Sequence, residues 1–327
     1  MIVHLLSRGP ISQVSGGYLY NRSVLNHLRV AGYSTRYHGN SENLGAIAGE
    51  DCIVADGLVL NEFVDYLTAS PCRIVLLLHT FPDSFGRSRT PSAFVPENLG
   101  DLFSKSLVVV TGSRTCDGLR QALPHAGLRM VCIEPGVSSS WTCKKHYSAT
   151  AQSLLCVANY IAGKGHIALL HALSDIRDMN WRLDIFGNRQ FQPQRYAETV
   201  QQVGSLDLAD KVCCHGTVSH KEINRRMLEA DLLVHLSQSE SFSLVVAEAI
   251  ASGLPVFAYR TGNAEAFCAS GLVQYVDDLD TRRTSTRIRS LMEDPQAYAR
   301  MRRNPSWQPR LWEEVGREFA QALGDYL

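Results

Sequence analysis

Short, nearly unbroken apolar runs recur along this chain, with amphipathic stretches between them. In the first half the runs are Ile2–Leu6, Cys52–Ala55, Arg73–Leu78, Leu107–Val110 and Met130–Ile133. In the second they are Ser153–Val157, Trp181–Phe186, Val212–His215, Leu232–His235, Val256–Ala258 and Leu272–Tyr275. A strand with water on one face alternates apolar and polar residues. A strand that stays apolar at successive positions is covered on both faces, as in a parallel sheet. The segments Tyr18–Ala31, Arg114–Leu123, Gly165–Leu173, Lys221–Glu229 and Ser243–Ser252 read as helices. Strand alternating with helix is the βαβ pattern, so we expect an α/β protein of doubly wound parallel sheets.

The pattern runs twice. It breaks near Pro135-Gly136-Val137, and the polar stretch Ser138–Thr150 has the composition of a linker. A chain of 327 residues has room for two domains of roughly 150 residues each. The expected organisation is a Rossmann-like domain over residues 1–138, a linker over 139–150 and a second Rossmann-like domain over 151–305. A final helix, residues 306–327, is expected to pack back on the first domain. Ligands of open α/β sheets bind beyond the carboxyl ends of the strands, so two such domains facing each other would hold a ligand in the cleft between them.

Lys plus Arg equals Asp plus Glu, 32 of each, which gives no sign of a nucleic-acid partner. The start, MIVHLLSRGP, lacks a basic segment and a long apolar run, and no stretch approaches the ~20 apolar residues of a spanning helix. A cytoplasmic protein is expected, with room for contact at the inner membrane face. The nine cysteines are odd in number and form no C-x-x-C, so they read as reduced thiols. Cys132, Cys156 and Cys213 lie in or beside apolar runs and are expected to act as small core hydrophobes.

The most informative segment runs from Ser239 to Val256 and follows the run Leu232–His235. Glu240 falls in its loop and Glu248 in the helix after it. The helix is expected to start near Ser241–Ser243, leaving the N–H groups of Phe242, Ser243 and Leu244 free for a diphosphate or sugar hydroxyls. Val245, Val246, Ala247, Ala249 and Ile250 leave almost no polar face, so Glu248 should be buried about two turns into the helix, as estimated from helical geometry. A carboxylate there suits a ribose diol. Gly253 should cap the helix and Pro255 stop it.

This Glu-x7-Glu element running into Ala-Ser-Gly-Leu-Pro-Val resembles that of family-4-type retaining glycosyltransferases, the glycosyl transferases group 1 of GT-B fold. The resemblance implies two facing Rossmann-like domains, Glu240 against the transferred sugar and Glu248 on the nucleotide ribose. It extends to other motifs. Ser15-Gly16-Gly17 resembles the glycine-rich first loop, where Gly16 and Gly17 approach a ligand. His79 stands where the family commonly places a His against the donor sugar. In Ala158–His166, Lys164 matches the cation that binds the donor diphosphate, whereas Asn159 stands where Arg is usual. His215-Gly216 resembles the loop beside the nucleobase. Glu134–Val137 resembles the link between domains, and Tyr259–Gly262 the loop after the next strand. The acceptor would enter near Gly16, Gly17 and Thr80–Thr90.

The implied activity is transfer of a sugar, with retention, from a nucleotide-diphosphate sugar. A uridine donor has the first claim. The acceptor would be a small molecule, a glycan or a lipid-linked sugar. Lys164, His79 and Glu240 would act at the reacting sugar, and no metal is required. Asn159 leaves room for a catalytically silent nucleotide-sugar-binding regulator, and the same fold serves epimerases and phosphorylases. No G-x-G-x-x-G follows a strand, which argues against a dehydrogenase. Asp278-Leu279-Asp280 reads as a helix start, and the late arginines from Arg282 to Arg303 read as a solvated helix face.

Overall fold

A computed structural model of the chain describes every residue except 40–46, 81–96, 125–126, 142–146, 277–279, 302–303 and 305–306. The described residues divide into two units, one of 1–136 with 310–327 and the other of 137–309.

The first unit carries β1 (Ile2–Leu6), α1 (Gly16–Val30), β2 (Ser34–His38), β3 (Cys52–Asp56), α2 (Leu60–Ala69), β4 (Arg73–Leu78), α3 (Glu97–Lys105), β5 (Leu107–Val110), α4 (Ser113–Ala122) and β6 (Arg129–Cys132). The second carries β7 (Ser153–Val157), α5 (His166–Ser174), β8 (Arg182–Phe186), α6 (Pro193–Ser205), β9 (Val212–Cys214), α7 (His220–Glu229), β10 (Leu232–His235), α8 (Leu244–Ala251), β11 (Val256–Tyr259), α9 (Ala264–Cys268), β12 (Val273–Val276), α10 (Thr281–Glu293) and α11 (Pro295–Ala299). A last helix, α12 (Trp312–Tyr326), belongs to the first unit.

Each unit holds a six-stranded, all-parallel sheet. The first has the order β2-β1-β3-β4-β5-β6 and the second β12-β11-β10-β7-β8-β9. Parallel pairing sends the loops after all strands of a sheet to one end, and the order reverses between β1 and β3 and between β7 and β10. Loops that diverge at such a reversal leave a crevice for a ligand.

The unbroken apolar runs are the central strands, as their pattern requires. Every residue of β3 and of β10 is buried. Tyr160 and Trp181 anchor the second core, where Trp181 donates its indole N–H to the Ile176 carbonyl at 2.8 Å. Asp231 is buried there and accepts the amides of Gln152 and Ser153 at 3.1 and 2.8 Å, fixing the start of β7. In the first core α12 lies along α1. Trp312 meets Tyr20 edge-on at 5.8 Å, and the absence of a side chain at Gly316 lets α12 approach His27.

Some expectations need correction. The strand β2 has no apolar run, because Ser34–His38 is a half-exposed edge. Cys213 is exposed, since β9 is also an edge strand and lacks a neighbour on one side. Glu248 sits five residues into α8, little more than one turn. Asp280 caps α10, accepting the amides of Arg282 and Arg283 at 2.8 and 3.3 Å, and Arg282, Arg283 and Arg287 are exposed. Asp278, Arg302, Arg303, Cys143 and residues 81–90 of the expected acceptor loop lie outside the described residues. No described helix is long and apolar enough to cross a membrane.

Candidate functional site

The loops after β7 and β10 flank the strand-order reversal of the second unit, and they are tied together. Gln238 N–H donates to the Gly163 carbonyl at 2.8 Å, and any Cβ at Gly165 would overlap the carbonyl of Leu236. Gly163 and Gly165 both have positive φ, 83° and 77°, so the residue between them is carried on a backbone that side chains disfavour. That residue is Lys164, whose Nζ donates to Glu240 Oε1 at 2.6 Å. His235, buried at the end of β10, brings Nε2 to 3.2 Å from the same oxygen. Burial alone would raise the Glu240 pKa. His235 and Lys164 outweigh it and hold the carboxyl well below the usual carboxylate range. Oε2 makes no hydrogen bond among the described residues.

α8 begins on a strained residue. Ser243 is its N-cap with φ 71° and ψ 63°, a left-handed conformation rare outside Gly and Asn. Its carbonyl accepts from Val246 and Ala247 at 3.0 and 3.2 Å, while its own Oγ is buried without a partner. The amides of Ser243, Leu244 and Val245 have no acceptor among the described residues. Gly262 makes room for this turn, since a Cβ there would stand 2.5 Å from Ser243 Oγ. The amide end of α8, buried at Ser243 and partly exposed at Leu244 and Val245, is thus a ready anion site beside the loops that carry Lys164 and Glu240.

Glu248 is buried at 6% exposure, and burial pushes its pKa up to about 8. Among the described residues the half-exposed imidazole of His220 lies 3.5 Å from its Oε1. Gly253 (φ 71°) ends α8, and its amide donates to the Ile250 carbonyl at 2.9 Å.

Asn159 accepts the Asn188 amide on Oδ1 at 3.0 Å, so it holds the loop after β8. His215 stacks flat on Phe186, 4.3 Å between centroids and 9° between planes, with Nε2 2.5 Å from Asp184 Oδ1. Gly216 packs against the Arg189 guanidinium, which would be 2.7 Å from a Cβ. Asp184, Cys213 and His215 place ligand atoms within 4.8 Å of one another, a set that thiophilic cations favour.

In the first unit Gly16 and Gly17 open α1. A Cβ at Gly17 would stand 3.0 Å from His79 Cδ2. His79 Nε2 lies 2.9 Å from Asn21 Oδ1 and 3.8 Å from Asp56 Oδ2. Burial lowers the His79 pKa, and Asp56 opposes that only in part.

The structure therefore brings Lys164 and Glu240 together on adjacent loops, puts Phe242, Ser243, Leu244 and Glu248 on the turn and helix that follow, and places Asn159, His215 and Gly216 at the same sheet end. In the other unit it joins Gly17 to His79. Sequence reading missed His235, Arg189, His220, Asn21 and Asp56. Two were accessible: Asp56 is a carboxylate closing an apolar run, and Asn21 falls four residues after Gly17 on one helix face.

Comparisons with known proteins bear on the family and the fold. Residues 144–306 match the family model described as Glycosyl transferases group 1. The chain is 25% identical over 253 residues to the GDP-mannose:cellobiosyl-diphosphopolyprenol alpha-mannosyltransferase of Xanthomonas campestris, with 75% of this chain and 65% of that protein covered. The chain thus spans a little under two thirds of that relative's length. The fold resembles sucrose-phosphate synthase of Thermosynechococcus elongatus (TM-score 0.75, 18% identity, covering 98% of this chain and 94% of that one). It also resembles Anabaena Alr3699/HepE in complex with UDP and glucose (TM-score 0.76, 18% identity, covering 98% and 99%).

Proposed function

We propose that this chain, whose residues 144–306 match the Glycosyl transferases group 1 family model, moves a hexose, with retention of configuration, from a nucleotide-diphosphate sugar to an acceptor. The observation that carries this reading is the Lys164–Glu240 pair beside the unpaired amides of Ser243, Leu244 and Val245, at the strand-order reversal of the second sheet.

A donor diphosphate meets two sources of positive charge there. Lys164 has three N–H protons and spends one on Glu240, leaving two for phosphate oxygens. The α8 amides supply the rest. Both stabilise the departing diphosphate as its bond to the sugar breaks, so we assign charge neutralisation to the protein with no metal. Glu240 is held ionised, and its Oε2 accepts from sugar hydroxyls. Glu248 takes the ribose diol, and the loop of His215 and Gly216 takes the base. The family resemblance assigns His79 of the first unit to a sugar hydroxyl. Anabaena Alr3699/HepE was solved with UDP, which supports a uridine donor. The Xanthomonas enzyme's name supports the alternatives of a guanosine donor and a lipid-diphosphate acceptor. The protein would then work in the cytoplasm, touching the inner membrane face. Asn159, a neutral amide where the family usually has a cation, favours a second reading as a silent nucleotide-sugar binder.

The test is calorimetric titration of the protein with UDP and GDP, followed by turnover of their labelled sugars with donor hydrolysis counted. One diphosphate should bind, Lys164→Met should weaken it at least tenfold, and NMR of the product should show the donor's anomeric configuration. If neither diphosphate, nor ADP, binds at millimolar concentration, the reading fails. Binding without any turnover leaves the silent binder.

A further inference from the structure

The side chain of Asn21 sits between a carboxylate and an imidazole, and that fixes which way round its amide lies. Nδ2 donates to Asp56 Oδ2 at 2.6 Å. Reversing the amide would aim Oδ1 at the carboxylate, two acceptors at hydrogen-bonding distance, which burial makes costly. Asp56 is held from other sides too. Ser7 Oγ–H donates to Oδ2 at 2.8 Å, and Leu58 N–H donates to Oδ1 at 3.0 Å. Ser7, Asn21 and Asp56 are all buried. With Nδ2 committed to Asp56, the atom of Asn21 that faces His79 is Oδ1, an acceptor, at 2.9 Å from Nε2. His79 must therefore be the donor, and its proton sits on Nε2.

We infer that Asn21 and Asp56 are positioning residues that hold His79 in its Nε2–H tautomer and so present Nδ1 as a hydrogen-bond acceptor to a sugar hydroxyl. The ring cannot easily turn over. Tyr20 meets it edge-on at 5.3 Å, and Gly17 lies against its Cδ2 edge. A bare imidazole nitrogen binds O–H and N–H donors and gives nothing to a phosphate oxygen. This tautomer therefore suits a sugar hydroxyl and does not suit a diphosphate. Because burial disfavours the imidazolium, the acceptor persists at neutral pH. The inference rests on the sugar-transfer reading for its substrate, but its chemical core is the position of one proton.

That proton can be seen without activity. In protein labelled with 15N-histidine, long-range 1H–15N spectra at pH 7.5 should show the His79 ring, assigned by its loss in His79→Gln, as a single Nε2–H tautomer. Asn21→Leu keeps the size and removes the bridge. It should give averaged ring shifts and a kcat at least tenfold lower, with nucleotide diphosphate affinity unchanged. Asp56→Asn, which lets the Asn21 amide reverse, should do the same. A native His79 protonated on Nδ1, or an Asn21→Leu protein that melts normally with tautomer and kcat intact, overturns the inference. A single Nε2–H tautomer in a protein that transfers no sugar sinks the substrate reading and leaves the positioning role standing.

Discussion

Glu248 is where burial and chemistry conflict most openly. In the folded chain its pKa is pushed up to about 8, whereas an unfolded chain returns it to the ordinary value of about 4.3. Between those limits the folded state holds the proton and the unfolded state does not, so stability falls as pH rises, by at most about 1.4 kcal/mol per unit. Below about pH 4.3 both states are protonated and this loss vanishes. Glu248→Gln copies the protonated form. Its melting temperature should match the native protein's at about pH 4 or below and exceed it by several degrees at pH 8 in thermal scans. Parallel curves at both pH values would show that Glu248 is not the cause. The burial itself was legible in the sequence, because an acid between Ala247 and Ala249 in an all-apolar helix has nowhere wet to go. The imidazole against Glu240 was not. His235 closes an apolar run and looks like one more strand residue until the chain is folded.

Elements built on unbroken hydrophobicity were the readable ones. β1, β4, β5, β7 and β10 have the bounds their runs mark out, because burial on both faces leaves no other solution for a run of four to six apolar residues. The edge strand β2 and the polar helix α6 left little periodic signal. Ser34–His38 alternates only weakly, and Pro193–Ser205 buries just Thr199 and Val203. α8 was read from its sequence, and its start falls at the expected Ser241–Ser243; what the sequence hid is the left-handed conformation of Ser243, which composition would assign to Gly. That cap makes a prediction at the scale of the element. Ser243→Gly relieves about 1 kcal/mol of backbone strain and removes a buried hydroxyl with no partner, so urea unfolding should show a more stable protein. Ser243→Ala keeps the strain and should gain less. If the strained turn exists to aim amides at a diphosphate, Ser243→Gly should also bind nucleotide diphosphate more weakly. Tighter binding would detach the strain from function.

At the scale of the whole molecule, the first unit is made from both ends of the chain. Residues 1–136 supply its sheet, and the chain returns only at 310–327 to lay α12 along α1. Trp312, Val315, Phe319 and Leu323 of that helix are buried. At about 2 kcal/mol for each large side chain removed from water, α12 contributes roughly 8 kcal/mol, comparable with the net stability of a whole domain. Gly136 reinforces the join, because any side chain there would collide with the backbone of Leu311 and Trp312. The second unit is continuous in sequence and has its own core around Trp181 and Tyr160. The two should therefore respond differently to cutting. A fragment of residues 137–309 should unfold in one cooperative transition by circular dichroism and should retain nucleotide diphosphate binding, since Lys164, Glu240, Ser243 and Glu248 all lie within it. A fragment of residues 1–136 should lack a cooperative transition and gain one when the 310–327 peptide is added. A fragment 1–136 that melts cooperatively by itself would mean that α12 covers a core already sufficient without it.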